Sequence, residues 1–346
     1  MLLQHEAGKP PRRKNVWGKM DLKLKFACGE YDRTIAFRTG DVKPQGIILE
    51  YTPQAPELTF LQQLKDMRYD VSEMSMSAYT QMRASGRDDF IALPVFPSRV
   101  FRHSALYVRT DSAICEPPQL RGKRVGIGYY QMSGAVWARG FMLDDYGVKP
   151  SEIEWVSGME AKAEAGADQV DQLQDMVDGT ERDKPKLELM LESGEIDALV
   201  SVHTPRAMQR GEGTVRYLFK NCREIEEDYF RRTGIFPMMH TIVLKRSVYD
   251  DHKWIAQSLF DAFSKAKRRA MEQIYETNAL TVVAPFILHE LDRTRALMGM
   301  DYWPYGVEAN TKSITTFLRH LRDQEIIKRT PAISDLFIDV KPSTAA

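Results

Sequence analysis

Two arginines and a histidine interrupt an apolar, strand-forming stretch of the chain. The segment FPSRVFRHSALYV, residues 96–108, contains Arg99, Arg102 and His103. The planar guanidinium of arginine binds carboxylates through paired donors, and imidazole transfers protons near neutral pH. The three residues therefore indicate an anion site with acid–base chemistry. The alternative is an ordinary loop with solvated arginines, in which His103 makes a hydrogen bond inside the core.

Other arginines and histidines stand near the ends of predicted strands, where loops often carry function. Arg33, in EYDRT, is a second candidate for binding a carboxylate, with Asp32 as its ion-pair partner. His203 and Arg206, in SVHTPR, and His240, in FPMMH, are candidates for proton transfer and anchoring. The alternatives are a surface arginine beside a helix-start aspartate, a structural loop histidine and a buried histidine.

Polar residues also occur where helices are predicted to begin. Gln131 and Ser133 lie at the start of one helix, and Ser75 and Ser77 lie at the start of another. The first N–H groups of a helix have no partner inside it, so they attract an anion or a capping side chain. These four residues are candidates for ligand contact, with helix capping as the alternative. Glu73 is either a base or the end of a strand.

Composition and charge exclude several functional classes. Lys+Arg and Asp+Glu number 48 each, so the chain has no excess positive charge for nucleic acid or an anionic membrane. The three cysteines are far apart, which gives neither a disulfide framework nor a thiolate zinc site. No apolar run reaches the length of a membrane span and no secretory signal is present, so we expect a cytoplasmic protein. Composition does not decide between a monomer and a homo-oligomer.

Cofactor motifs are missing from the sequence. GIGYYQ, from Gly126, lacks the third glycine of a dinucleotide fingerprint, and HELDR, at His289, lacks the second histidine of a zinc protease. Neither a Walker A loop nor a G-x-S-x-G elbow occurs. We therefore expect no cofactor. The His, Asp and Glu residues leave a divalent metal open, although their spacing gives it no support.

The candidate residues must be positioned by alternating strands and helices, a pattern that predicts an α/β fold with mainly parallel sheets. A Pro- and Gly-rich break at DSAICEPPQLRGKR divides the elements into two sets. Residues 1–20 are predicted to form a loose tail and residues 168–180 an acidic surface segment. The main predicted elements are a strand from Leu22, a loop at EYDRT, a helix at 56–67, a strand at 69–74, a helix capped by Ser75 or Ser77 and ended by Gly86, a strand at FIALPVFP, a strand ending at Ile127, a helix from Ser133 to Gly147, and a strand at 241–244.

Several stretches together resemble one protein family. They are ACGEYDRT, DVSEMSMSAY, PVFPSRVFRHSALYV, LRGKRVGIGYYQMSGAVWARG and RTGIFPMMH, which span Phe26 to His240. They are similar to the 4,5-dihydroxyphthalate decarboxylases, within the superfamily of the type II periplasmic-binding-protein fold. The resemblance implies two lobes joined by crossing strands, with the ligand in the cleft between them. One lobe would contain residues 21–112 and 238–346, and the other residues 113–237.

The resemblance also implies a reaction, the release of CO2 from 4,5-dihydroxyphthalate to give protocatechuate in phthalate breakdown. The expected partner is then a small aromatic dicarboxylate. A hydroxyl para to the departing carboxylate lets the ring take up a proton as a dienone, and loss of CO2 restores aromaticity. Alternatives on the same fold are a cytoplasmic solute-binding or sensor protein and an enzyme of cofactor biosynthesis. The implied roles are carboxylate binding by Arg99, Arg102 and either Arg33 or Arg206, contact with the substrate by Ser75, Ser77, Gln131 and Ser133, and proton transfer shared by His103, His203 and His240.

Overall fold

The computed structural model describes residues 21–157, 170, 173–174 and 186–341. The predicted tail at 1–20, and all but three residues of the predicted acidic segment at 168–180, lie outside the described residues. The described strands are β1 (Leu22–Cys28), β2 (Ile47–Pro53), β3 (Val71–Ser75), β4 (Phe90–Leu93), β5 (Leu106–Arg109), β6 (Arg124–Ile127), β7 (Glu154–Ser157), β8 (Ala198–Val200), β9 (Val215–Tyr217) and β10 (His240–Lys245). The described helices are α1 (Asp32–Thr39), α2 (Pro56–Asp66), α3 (Met76–Ala84), α4 (Ser133–Tyr146), α5 (Lys186–Ser193), α6 (Arg206–Gln209), α7 (Cys222–Thr233), α8 (Arg246–Asp251), α9 (Ile255–Gln273), α10 (Ile287–Met298), α11 (Thr311–Asp323) and α12 (Ile333–Leu336).

The strands form two five-stranded sheets, in the orders β2-β1-β3-β10-β4 and β7-β6-β8-β5-β9. In the first sheet only β10 runs against its neighbours, and in the second only β5 does so. The predicted α/β fold with mainly parallel sheets is therefore confirmed. We call the parts built around these sheets the first and second lobes.

β5 and β10 each directly follow a segment that crosses between the lobes. The first crossing segment is residues 94–105 and the second is residues 235–239. The two crossing segments run side by side, because Met239 N–H donates to Ser98 O at 2.8 Å and Val100 N–H donates to Pro237 O at 3.2 Å. β5 pairs with β8 and β9, so the first crossing is complete before Leu106. The chain thus enters the second lobe earlier than the predicted boundary after residue 112.

Most helix ends follow the capping rules read from the sequence. The predicted helices at 56–67 and from Ser133 to Gly147 are confirmed as α2 and α4, and Gly147 ends α4 with a φ of 65°. The predicted cap at Ser133 is wrong, because the N-cap residue is Met132 and Ser133 is the first residue of α4. Ser75 caps α3 by accepting a hydrogen bond from Ala78 N–H at 3.4 Å. The predicted loop at EYDRT is wrong in its second half, since Asp32 is the first residue of α1.

A continuous apolar core links the two lobes. It contains Phe60 and Met74 from the first lobe together with Leu106 and Trp137 from the second. Such a shared core holds the facing edges of the two sheets close together, which is what places the site described below.

Within residues 21–157 and 186–341, no helix is both long and apolar enough to cross a bilayer. The cytoplasmic location inferred from the sequence stays a prediction.

Candidate active site

A buried carboxylate lies where the carboxyl ends of β1 and β3 meet the start of β10. Glu73 is 0% exposed and accepts hydrogen bonds from four groups. Its Oε2 accepts from Gly29 N–H at 2.8 Å and from Cys28 Sγ at 3.3 Å. Its Oε1 accepts from the Tyr31 hydroxyl at 2.8 Å and lies 2.6 Å from His240 Nδ1. A carboxylate satisfied in this way is fixed in position and orients the groups around it.

The negative charge of this cluster resides on Glu73. Burial raises the pKa of Glu73, but the charge and hydrogen bond of His240 and the other donors outweigh it, so the pKa is lowered overall. Burial and the neighbouring Glu73 raise the pKa of the Tyr31 hydroxyl and of the Cys28 thiol well above their usual ranges. Both groups therefore keep their protons and act as donors to the carboxylate.

His240 presents one ring nitrogen to Glu73 and leaves the other available. Its side chain is 18% exposed, and the edge-to-face contact with Phe60, at 4.9 Å between centroids, fixes the ring plane. Among the described residues, Nε2 has no hydrogen-bond partner. The Glu73–His240 pair can thus hold a proton on Nε2 and balance its charge with a buried carboxylate.

The N-termini of α3 and α4 face each other beside this pair. Ser75 lies opposite His240 in the β3–β10 register, so their side chains leave the sheet on the same face. Ser75 Oγ is 3.0 Å from Ser133 Oγ, and Ser77 N–H donates to Ser133 Oγ at 3.0 Å. The predicted residues Ser75, Ser77 and Ser133 are therefore brought together across the two lobes.

Arg102 approaches the same place from the first crossing segment. It is 8% exposed, and among the described residues its guanidinium makes a single hydrogen bond, from Nε to Met239 Sδ at 3.3 Å. Burial lowers the pKa of Arg102 to about 10, so the group is still a cation at neutral pH. Gln131, in the loop before α4, is also buried. The serines, Arg102 and His240 form one group of neighbours.

Arg99 forms hydrogen bonds that hold the crossing segments in place. Its Nη1 donates to Phe236 O at 2.9 Å, and its Nη2 donates to Pro304 O at 2.9 Å and to the side chain of Asn310. Arg99 also forms an antiparallel bridge with Met238. The Nη1 and Nη2 donors are therefore bound to backbone and amide oxygens that tie both crossings to the segment before α11, whereas the buried Nε has no hydrogen-bond partner among the described residues.

His103 lies apart from the His240 group, in an aromatic pocket of the second lobe. Its ring stacks on Phe141 at 4.0 Å between centroids and lies 5.1 Å from the ring of Tyr229. The residue is 2% exposed, and neither ring nitrogen hydrogen-bonds to a described residue. Burial, with a smaller contribution from the charge of Arg232, lowers the pKa of His103 to about 3. His103 is thus a neutral packing residue at physiological pH.

The neutral state of His103 predicts acid sensitivity. An unfolded histidine takes up a proton near pH 6.5, whereas folded His103 does so near pH 3, so the unfolded chain binds more protons between these values. Native stability should therefore fall as pH decreases from 6.5, by at most about 1.4 kcal/mol per pH unit from this residue. In urea titrations at pH 7 and pH 4.5, His103→Phe should lose less stability than the native protein. Equal losses would contradict a neutral buried imidazole.

Two other predicted residues, His203 and Arg206, lie outside the Glu73–His240 group. His203 is 64% exposed, with Nε2 3.8 Å from Glu57 Oε1 of the first lobe, so it stands at the lip between the lobes. Arg206 begins α6, and its backbone N–H donates to Glu188 at 2.9 Å.

Arg33 is enclosed by aromatic rings. Its guanidinium carbon lies 4.2 Å from the ring centre of Tyr31 and 4.5 Å from that of Trp303. Nε donates to Pro97 O at 2.5 Å, and Nη1 pairs with Asp32 at 3.0 Å. The predicted Asp32 partnership is confirmed, and Arg33 borders the Glu73 cluster through Tyr31.

No metal centre is evident in the part of the chain that the structure describes. Within it, no group of three or more His, Cys, Asp or Glu side chains is arranged to hold a metal ion. The expectation of a cofactor-free protein stays a prediction.

The sequence predicted the central residue of the site, Glu73, as either a base or the end of a strand, and it indicated none of its partners. The second alternative is wrong, because Glu73 is the middle residue of β3. A signal for it exists in the sequence, because DVSEMS places one carboxylate inside a strand whose five residues are all buried. A charge in such a strand is costly unless it is paired, so it marks a partner elsewhere in the chain.

The two sheets and the segments that cross between them define the periplasmic-binding-protein-like class of fold. Solved structures of the same fold include the aliphatic sulphonate-binding protein SsuA of Escherichia coli, with a TM-score of 0.52, 15% identity and coverage of 92% of each chain. A sulfonate-binding protein of Methylobacillus flagellatus has a TM-score of 0.57, 13% identity, and coverage of 93% of this chain and 92% of that one. The desulfurization enzyme DSZB has a TM-score of 0.54, 14% identity, and coverage of 91% and 96%. At these identities the likeness shows the fold alone.

Sequence comparison identifies the family within that class. The 4,5-dihydroxyphthalate decarboxylase of Comamonas testosteroni is 34% identical over 319 residues, which cover 91% of this chain and 96% of the relative. The enzyme of the same name from Pseudomonas putida is 34% identical over 218 residues, or 61% of this chain and 82% of the relative. No family model matches the sequence. The chain belongs to the 4,5-dihydroxyphthalate decarboxylase family, as the sequence motifs predicted.

Proposed function

We propose that this protein releases CO2 from 4,5-dihydroxyphthalate and yields protocatechuate. Two relatives at 34% identity carry the name of this activity, and one of them aligns over 91% of the chain. The observation that carries the chemistry is the Glu73–His240 pair, a buried carboxylate 2.6 Å from an imidazole whose second nitrogen has no partner among the described residues.

The stoichiometry of the reaction requires an acid. An aryl carboxylate and one proton become an aryl C–H bond and CO2, so one proton must reach the ring carbon. When the ring carbon para to a hydroxyl takes up a proton and that hydroxyl gives its own proton to a base, the ring becomes a dienone. The electron pair of the breaking C–C bond then returns to that oxygen as CO2 leaves, and the phenolate takes a proton back. The protein must supply a proton donor of suitable acidity and hold it over one ring position.

His240 is the donor in this proposal, and Glu73 is the residue that positions it. The carboxylate holds Nδ1–H and balances the charge of the imidazolium, while Nε2–H faces the substrate. After transfer the imidazole is neutral and regains its proton from water. We assign no proton transfer to His103, because it is enclosed by aromatic rings, or to His203, because it lies at the exposed lip.

The direct test is turnover of the purified protein with 4,5-dihydroxyphthalate in D2O. We expect CO2 and protocatechuate carrying one ring deuterium ortho to the remaining carboxylate, read by proton NMR. Phthalate, which has no para hydroxyl to form a dienone, is the matched control and should release no CO2. Binding of 4,5-dihydroxyphthalate without product would instead indicate a ligand sensor and would contradict the proposal.

A further inference from the structure

Three sources of positive potential meet beside His240. The helices α3 and α4 contain 9 and 14 residues, and the N-terminal end of each carries a positive partial charge from its backbone dipoles. The buried guanidinium of Arg102 adds a full charge. The side chains joining the helix ends, Ser75 and Ser133, are neutral hydroxyls.

Arg102 lies directly on the first turn of α4, and a glycine makes this approach feasible. A Cβ atom at Gly134 would lie 2.9 Å from Arg102 Nε, 3.1 Å from Arg102 Cζ and 2.6 Å from Val202 Cγ1. Real side chains do not reach such distances without displacing their neighbours. Gly134 therefore permits contact between the guanidinium and the helix terminus, and any larger residue would displace Arg102 together with Val202.

The protein offers few partners for the buried positive charge of Arg102. In the described part of the chain its only hydrogen-bond acceptor is the thioether of Met239, which is a weak acceptor for one of five donors. The acidic side chain whose charge reaches it, Glu226, accepts from Ser104 N–H at 2.9 Å. Burial raises the pKa of Glu226, which favours its neutral form. A buried cation with so few partners is suited to an anionic ligand.

We propose that Arg102 and the N-terminus of α4 hold the carboxylate that the substrate keeps. This assignment rests on the proposed function and adds which of the two carboxylates is bound there. A cation beside the departing carboxylate would stabilise the charge that must disappear when CO2 forms, which raises the barrier. A cation beside the retained carboxylate stabilises ground state and transition state alike, so it anchors the ring without opposing the reaction.

Calorimetric titration with two non-reacting ligands tests the assignment. Protocatechuate contains only the retained carboxylate, and phthalate contains both. In Arg102→Met, both ligands should bind about tenfold to a hundredfold more weakly, the range for loss of hydrogen bonds to a charged group. Gly134→Ala should weaken both in the same way, and Arg210→Met, an exposed arginine of the second lobe, should weaken neither.

The changes in affinity for the two ligands show which carboxylate Arg102 binds. If Arg102→Met weakened phthalate but left protocatechuate unchanged, Arg102 would hold the departing carboxylate and the assignment would be overturned. If neither ligand were affected, no carboxylate would lie at Arg102. Circular dichroism and thermal melting verify that each variant is folded. If Arg102→Met does not fold, Gly134→Ala, which keeps Arg102, supplies the test. The titration needs no turnover. A native protein that bound both ligands through Arg102 but released no CO2 would therefore contradict the proposed function and leave the assignment of Arg102 intact.

Discussion

Replacing His240 by asparagine is expected to lower kcat for 4,5-dihydroxyphthalate by about 10²- to 10⁴-fold, the usual contribution of a positioned proton donor. The asparagine amide can place an N–H where Nδ1 lies, so the hydrogen bond to Glu73 is kept while the Nε2 proton is removed. Affinity for protocatechuate should change little, because the ring and its carboxylate are held by other residues. Initial rates of CO2 release and calorimetric binding measure the two effects separately.

The matched control for this variant is His289→Asn, which changes an exposed histidine of α10. It should leave kcat unchanged. A His240→Asn protein that is folded and retains more than half of the native kcat would remove His240 from the mechanism.

Replacing Glu73 by glutamine is expected to lower kcat by a comparable factor. The Glu73 carboxylate lies 2.6 Å from His240 Nδ1, where its negative charge orients and balances the donor ring, and the neutral amide of glutamine cannot replace that charge. Affinity for protocatechuate should change little. Initial rates of CO2 release and calorimetric binding of protocatechuate measure the two quantities.

The comparison of kcat with affinity separates positioning from structural damage. Glu73 accepts hydrogen bonds from Cys28, Gly29, Tyr31 and His240, so glutamine also lowers native stability by leaving donors badly matched. Structural damage would weaken protocatechuate binding together with kcat, whereas loss of positioning lowers kcat alone. A folded Glu73→Gln protein with native kcat would contradict the positioning role. Glu50→Gln, on the exposed side of β2, is the matched control and should alter neither quantity.

The sequence could predict the fold because its local signals agree with one another. The predicted helix from Ser133 to Gly147 has a polar residue at its start and a glycine at its end, and in the structure α4 begins at Ser133 and ends just before Gly147. The alternation of strands and helices, with a Pro- and Gly-rich break, predicts two sheets. The position of the break was less reliable, because β5 joins the second sheet through pairing with β8 and β9, which follow much later in the chain.

The site was harder to predict because its contacts are distant in sequence. Glu73 meets Tyr31, Cys28 and His240 across separations of 42, 45 and 167 residues. Nothing near position 73 indicates which partners it has. Pattern alone could only show that a buried strand contains an unexplained carboxylate.

Neighbouring residues of one motif also have separate surroundings. Arg99, Arg102 and His103 lie within five residues, yet they point to the crossing segments, to the start of α4 and into an aromatic pocket, respectively. The direction of each side chain is set by tertiary packing, because the crossing segment contains no regular period apart from the single 3-10 turn His103–Ala105. Residue type alone could not show which of the three lies beside the candidate site.

In the proposed reaction the Glu73–His240 pair delivers a proton to the ring carbon that loses CO2. A single-turnover reaction in D2O tests this delivery, with native protein and His240→Asn each mixed in excess with 4,5-dihydroxyphthalate and quenched over time. Ring deuteration ortho to the remaining carboxylate and release of CO2 should both slow by the same large factor in the variant. Deuteration at the native rate in His240→Asn would show that the proton comes from another group.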